Sequence, residues 1–262
     1  MATYFREFIR YVSLNVLGML GLSCYILADT YFVSKGLGAD GLAALNLAIP
    51  VYSFIHGSGL LIGMGGGTRY AIFKHQGEER KAGCVFTHAL WFALGLSAGF
   101  VLLGLLGSEK LARLLGADET VFAMNRTYLQ VILLFAPAFL LNNLCLCFVR
   151  NDGAPQLSMA AMLGGSLSNV VLDYLFLFPG GMGIFGAAFA TGLAPIISLL
   201  ILSPHFIRRK NGFHPIPCRP RAALFAGIFS SGLPSLVTEA SSGVVMIVFN
   251  GIFLRLQGNT GV

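Results

Sequence analysis

Long apolar stretches separated by short polar segments dominate this chain of 262 residues. A helix needs about 20 residues to cross about 30 Å of hydrocarbon, and a window of that length predicts seven membrane-spanning helices. Their predicted bounds are 11–34, 42–66, 84–107, 124–148, 157–178, 184–206 and 224–254. Turn signals such as Gly36-Leu37-Gly38 and Pro179-Gly180-Gly181 separate them. The pattern therefore predicts an all-α, polytopic helical membrane bundle.

Composition agrees with this pattern and excludes one class of partner. Hydrophobic residues make up 56% of the chain and charged residues 11%, far from the balance of a soluble domain. A net charge of +6 could suit nucleic acid, but the basic residues are scattered through short segments between apolar runs. We therefore expect membrane lipid as the surroundings and no nucleic-acid partner.

The basic residues divide unequally between the two predicted faces of the membrane. Twelve of the seventeen fall on the side of the N-terminus: Arg6, Arg10, Arg69, Lys74, Arg80, Lys81, Arg150, Arg208, Arg209, Lys210, Arg219 and Arg221. Since loops rich in Lys and Arg stay in the cytoplasm, the N-terminus is expected there and the odd-numbered helices run outward. The expected location is the cell membrane, as in a bacterial inner membrane.

Three acidic residues lie inside the apolar stretches: Asp29, Asp173 and Glu239. A charged side chain at the centre of a membrane helix costs roughly 2.5–3.5 kcal/mol on insertion scales. Acids in such positions usually mark ion or substrate pathways. They are the first candidates for function in this chain.

The predicted topology brings two of these acids to one depth. Asp29 and Asp173 each lie about five residues from the outer end of their helix, and Thr191 lies about seven, so all are within roughly 7–11 Å of the outer boundary. Asn169 precedes Asp173 by four residues, on the same helical face. Hydrogen bonds that merely join helices are one interpretation. Two carboxylates at one depth favour another, in which they share a proton or hold a cation.

Seven segments, in order along the chain, resemble the multidrug and toxic compound extrusion (MATE) transporters. They are 25–33 (YILADTYFV), 36–38 (GLG), 43–50 (AALNLAIP), 62–68 (IGMGGGT), 149–153 (VRNDG), 168–173 (SNVVLD) and 186–191 (GAAFAT). The resemblance implies an efflux antiporter of twelve helices in two six-helix lobes that alternate access to a central cavity. It also implies a small amphipathic or cationic substrate, and H+ or Na+ as coupling ion with no other cofactor.

The resemblance to the DinF-like branch also assigns roles to residues. Asp29, Asn169, Asp173 and Thr191 match the positions at which such members couple transport to protons or sodium. Glu239 matches an acid on the seventh helix that contributes to cation binding in some members. An acid that faces a watery cleft without a coupling role is the alternative for Glu239.

The chain ends shortly after its seventh predicted helix, where a full family member would continue through five more. Residues 250–254 echo 29–33, and Gln257-Gly258-Asn259 echoes Gly36-Leu37-Gly38, as expected for a six-helix repeat. We therefore expect 1–210 to form the N-terminal lobe. Residues 211–262 are expected to form the inter-lobe loop and the first helix of a C-terminal lobe, whose remainder is the missing partner of this fragment.

Other functions stay open beside the antiporter. A lipid-linked precursor flippase of the same superfamily shares the fold, and a structural half-transporter subunit would not transport at all. An enzyme is not expected, because the chain contains no HExxH or GxSxG motif and the histidines lack metal-ligand spacing. Four of the five cysteines fall in or beside predicted helices (Cys24, Cys84, Cys145 and Cys147) and are expected to be inert packing thiols rather than a metal site.

Overall fold

The computed structural model describes residues 2–208 and 211–257. Within these ranges the chain forms eight helices and no strand, which confirms the all-α class. The helices are α1 (Ala2–His75), α2 (Glu79–Leu106), α3 (Ser108–Leu114), α4 (Phe122–Leu134), α5 (Ala136–Asn151), α6 (Pro155–Leu177), α7 (Gly183–Ile207) and α8 (Ala222–Gln257).

Helix α1 contains the first two predicted crossings as two limbs, residues 2–37 and 39–75. Its apolar part, Val16–His75, is 60 residues long and would extend about 90 Å if straight, three times the hydrocarbon thickness. The chain breaks at Gly38, where φ is 70° and ψ is −158°, a conformation almost confined to glycine. A hydrogen bond of 2.9 Å between the hydroxyls of Tyr25 and Tyr52 then joins the two limbs. The loop predicted between them is reduced to this one residue.

The fourth predicted crossing, 124–148, is present as a bent pair of helices. Helices α4 and α5 meet at Phe135 with a bend of 47°. Pro137 lies in the first turn of α5, and because it has no N–H group it cannot continue the hydrogen bonding of α4. Among the described residues, five helices are long and apolar enough to cross a membrane, or six with this bent pair. Counting both limbs of α1 gives the seven predicted crossings.

Helix α8 packs antiparallel on the second limb of α1 through close backbone contacts. A Cβ atom added at Gly65 would overlap the carbonyl of Ile228, and one added at Gly232 would overlap the carbonyl of Leu61. Small residues let membrane helices approach this closely. Further along the same contact, Asn250 Nδ2 donates to a backbone carbonyl of α1 at 3.1 Å.

The end of the bundle where α1 finishes and α2, α6 and α8 begin carries most of the basic residues and is called the basic end below. The connecting segment, residues 211–221, lies against it. Phe213 of this segment is fully buried, with its ring 4.8 Å from Phe86, 5.4 Å from Phe148 and 5.8 Å from Tyr70. An aromatic side chain thus anchors the entrance to α8 in the core of the first seven helices.

Asp152, in the turn between α5 and α6, is the polar counterpart of this anchor. Its side chain is 1% exposed and accepts hydrogen bonds from Lys74 Nζ, from the Tyr70 hydroxyl at 2.5 Å and from the Gly212 N–H at 2.6 Å. Burial acts to raise the pKa of Asp152, but the hydrogen bonds from Lys74, Tyr70 and Gly212 outweigh it and hold the pKa below its usual value.

A disulfide bond joins Cys84 of α2 to Cys218 of the connecting segment. The expectation of an inert packing thiol is therefore wrong for Cys84. Residues 134 positions apart gave no local spacing that could indicate the pair. From the sequence, this end is expected in the cytoplasm, where thiols are usually kept reduced, so the compartment decides whether the bond persists.

Some residues used in the sequence argument fall outside the described part of the structure. These are Arg209 and Lys210 of the orientation argument, Gly258 and Asn259 of the repeat, and the side chains of Arg6 and Arg10. The proposed domain boundary near residue 210 stays a prediction.

Candidate functional site: a buried carboxyl pair beside a polar cavity

Asp29 and Asp173 meet inside the bundle. Asp29 lies on the first limb of α1 and is 7% exposed, whereas Asp173 lies near the end of α6 and is fully buried. Their carboxyl groups lie close enough to interact directly. One oxygen of each has no hydrogen-bond partner among the described residues, and neither forms an ion pair there. The pair therefore keeps two buried acceptor oxygens and no paired Lys, Arg or His side chain among the described residues.

Asn169 and Thr191 complete the cluster that the sequence predicted. Asn169 is fully buried on α6 and Thr191, on α7, is 5% exposed. When the Asn169 amide is oriented so that both of its polar atoms have partners, its nitrogen donates to Asp173 Oδ2 at 3.1 Å. Its oxygen then accepts from the Thr191 N–H at 3.2 Å. The structure thus brings the four predicted residues together from three helices.

Three tyrosines, which the sequence analysis did not assign to the site, surround this cluster. Tyr128 of α4 lies close to the Thr191 side chain and within electrostatic range of both carboxyl groups. Tyr25 and Tyr52, whose hydroxyls are hydrogen-bonded to each other, are also within electrostatic range of Asp29. Tyr25 precedes Asp29 by four residues and so shares its helical face, which was the one available signal.

A cavity of about 360 Å³ opens beside the cluster. Asn169 and Thr191 line it from one side, and Glu239 of α8 lines it from another. Glu239 is half-buried, packs against Gly57 of α1 and lies within electrostatic range of Tyr52. It therefore shares the cavity with the cluster without contacting the carboxyl pair directly. The other ionisable side chains on the wall are His56 and Arg150, with Tyr25 and Tyr52.

This geometry suits reversible binding of a small cation better than catalysis. Two carboxyl groups in contact and away from water cannot both carry charge cheaply, so they share a proton or hold a cation. The described residues contain no group of three or more His, Cys, Asp or Glu side chains that could hold a metal ion. An intramembrane acid pair next to a polar cavity is the arrangement expected of a membrane transporter.

The sequence profile of the MatE family matches residues 16–175, more than half of the chain. The chain belongs to the MatE family. It is 26% identical over its whole length to the multidrug export protein MepA of Staphylococcus saprophyticus and 25% identical over 98% of its length to MepA of Staphylococcus aureus strain MRSA252. It spans 58% and 57% of these relatives.

Solved structures agree with this assignment. An inward-facing multidrug resistance MATE transporter of the MOP superfamily superposes with a TM-score of 0.85 at 30% identity, over 90% of this chain and 54% of that one. An outward-facing structure gives 0.83 at 29% identity, over 96% and 56%. A MOP superfamily transporter from Pyrococcus furiosus, whose description names a binding pocket of reverse polarity and suggests a different function, gives 0.84 at 30% identity, over 97% and 57%.

Proposed function

We propose that this chain forms the ion-coupling part of a secondary antiporter that exports drugs or organic cations by alternating access. The observation that carries the proposal is the buried pair of Asp29 and Asp173, held by Asn169 and Thr191 at the edge of a cavity. A site that gains and loses a cation while it is alternately open to each side of a membrane couples an ion gradient to export. Glu239 also lines this cavity, where its carboxylate would attract a cationic substrate.

A proton is the coupling ion that the described geometry favours. Two interacting carboxyl groups can share one proton through a hydrogen bond, which forms only when one of them is protonated. Sodium would have to separate the two groups and take oxygen ligands from Asp29, Asp173 and the neighbouring amide. Loss of the proton would leave two adjacent charges, whose repulsion would drive the two helices apart.

One comparison supports rigid-body alternation of the lobe. The chain superposes about equally well on the inward-facing and outward-facing relatives, with TM-scores of 0.85 and 0.83. Its backbone arrangement is therefore compatible with both states. The N-terminus would be cytoplasmic, and the basic end would face the cytoplasm as the positive-inside rule requires.

The test is drug efflux from vesicles under a proton gradient or a sodium gradient imposed separately. It compares this chain alone with this chain fused to the remaining C-terminal part of a longer MatE relative, in wild-type form and as Asp29→Asn and Asp173→Asn. Asp40→Asn is the matched control, because Asp40 is an exposed aspartate on the same helix. We expect proton-driven efflux that both site variants abolish and the control retains.

Three results would count against this proposal. Efflux by Asp173→Asn with undiminished ion dependence would make the cluster structural. Efflux that depends on the sodium gradient alone would refute the proton as the coupling ion. No efflux from any form would favour the flippase or the structural subunit. The flippase is the less supported of the two, because a strongly basic cavity would favour it and Arg150 is the only Lys or Arg that lines the described cavity.

A further inference from the structure

A second and larger cavity lies at the basic end, far from the carboxyl pair. This basic cleft has a volume of about 1000 Å³ and shares no lining residue with the polar cavity. One wall is the first turn of α2 and the turn before it, and the other is the connecting segment where it enters α8. The charged side chains that line it are Glu78, Glu79, Arg80, Lys81, Arg219 and Arg221.

Positive charge exceeds negative charge in this cleft. Lys81 is paired with Glu78 at 2.8 Å. The side chains of Arg80, Arg219 and Arg221 form no ion pair within residues 2–208 and 211–257. The N-termini of α2 and α8 also open here, and each adds a partial positive charge and backbone N–H groups that lack helical partners. Two guanidinium walls and two helix N-termini are suited to a phosphate group.

The wall that carries Arg219 and Arg221 is fixed on both sides of these residues. Before them, Thr87 Oγ1 donates to the carbonyl of Ile216 and accepts from its N–H, each at 3.0 Å. After them, the Arg221 N–H donates to His88 Nε2 at 3.1 Å. The backbone of the cleft is therefore ordered before any ligand binds, which lowers the entropic cost of binding.

The cleft also lies where a membrane helix leaves the headgroup region. Helices α2 and α8 pass from it directly into apolar turns with outward-facing side chains, such as Trp91, which is 67% exposed, and Phe229, which is 44% exposed. A basic pocket between membrane helices at this depth faces the anionic headgroups of the cytoplasmic leaflet. A phosphate bound here has acyl chains as its natural neighbours.

We propose that the basic cleft binds the phosphate group of an anionic phospholipid headgroup and so attaches the connecting segment to the membrane surface. The inference does not depend on the proposed transport function, because binding can be measured without efflux. Free phosphate offers the same chemistry and is the alternative source of the ligand.

The test is native mass spectrometry of the full chain in a neutral detergent, titrated with short-chain phosphatidylglycerol, short-chain phosphatidylcholine or inorganic phosphate in separate arms. The wild type should prefer phosphatidylglycerol. Each cation near a membrane surface contributes about fivefold, so Arg219→Gln with Arg221→Gln should weaken that binding roughly 30-fold. Lys110→Gln with Arg126→Gln removes the same charge from exposed positions at the other end and should change little.

A third variant, Arg80→Gln, tests the opposite wall and should weaken binding about fivefold even if the double variant misfolds. Equal phosphatidylglycerol binding by the wild type and both cleft variants would overturn the proposal. If the control variant loses phosphatidylglycerol binding to the same extent, the effect comes from net charge alone, and the proposal is overturned as well. Inorganic phosphate that binds as tightly as phosphatidylglycerol, with no preference for lipid, would overturn the lipid as the source.

Discussion

Replacing Asp152 with alanine tests whether the basic end is held together as the structure indicates. The carboxylate is 1% exposed and accepts from three donors: Tyr70, Lys74 and the Gly212 N–H. Removal leaves these donors in different surroundings. Lys74 is 42% exposed and can turn to water, whereas the ring of Tyr70 is fully buried.

The expected loss follows from these exposures. A buried donor left without its acceptor costs about 1–3 kcal/mol, and a lost hydrogen bond to a charged group contributes about 1.5–3 kcal/mol. Because Lys74 is rehydrated and the three hydrogen bonds share one acceptor, the total loss is smaller than the sum of the separate contributions. We expect Asp152→Ala to lower the free energy of unfolding by about 2–4 kcal/mol. Glu119→Ala breaks an ion pair whose glutamate is 86% exposed and should cost less than about 1 kcal/mol.

Chemical denaturation of the detergent-solubilised chain at neutral pH measures both losses. A second signature is the pH dependence. The folded-state pKa of Asp152 lies below its unfolded value, so its contribution is complete above pH about 4 and disappears as the pH falls through the folded pKa. The gap between wild type and Asp152→Ala should therefore narrow in acid. A variant no less stable than Glu119→Ala, or a gap that does not narrow as the pH falls through the folded pKa of Asp152, would refute the reasoning.

Three further changes test the packing described above. Gly232→Leu should push α8 away from the α1 carbonyl it faces, with a loss of at least about 1–3 kcal/mol and a lower folded yield, whereas Gly251→Leu, in open space, should fold normally. Tyr25→Phe removes the hydrogen bond between the limbs of α1 and should lower the free energy of unfolding by about 0.6 kcal/mol, seen as a lower melting temperature. Tyr174→Phe, on the exposed face, should leave the melting temperature unchanged. A thiol reductant should destabilise the oxidised wild type by about 2–4 kcal/mol and leave Cys84→Ser unchanged.

The membrane pattern and the acids were accessible to sequence reasoning because both depend on a single physical contrast. An apolar helix of sufficient length must cross hydrocarbon, and a carboxylate within it is costly wherever its partners lie. Helical rise then gave the depth at which Asp29 and Asp173 meet. Their adjacency is visible in the structure, and their role in coupling stays a prediction.

Features that depend on distant residues were not accessible in this way. The bend at Phe135 could have been suspected from Pro137, but no apolar count distinguishes a bent crossing from a straight one. The Cys84–Cys218 bond joins α2 to the connecting segment, and the contact of Tyr128 with Thr191 joins α4 to α7; both depend on how the helices rotate about their own axes, which only packing sets. The burial of Asp152 likewise depends on Phe213 closing the basic end.

The disulfide has a topological consequence. It closes a covalent ring from residue 84 to residue 218, which contains most of α2 and all of the helices from α3 to α7. A protease that cuts once in any turn inside this ring cannot release a fragment, because the two products remain attached through sulfur. While the bond is intact, these six helices stay covalently connected even after the backbone between them is cleaved.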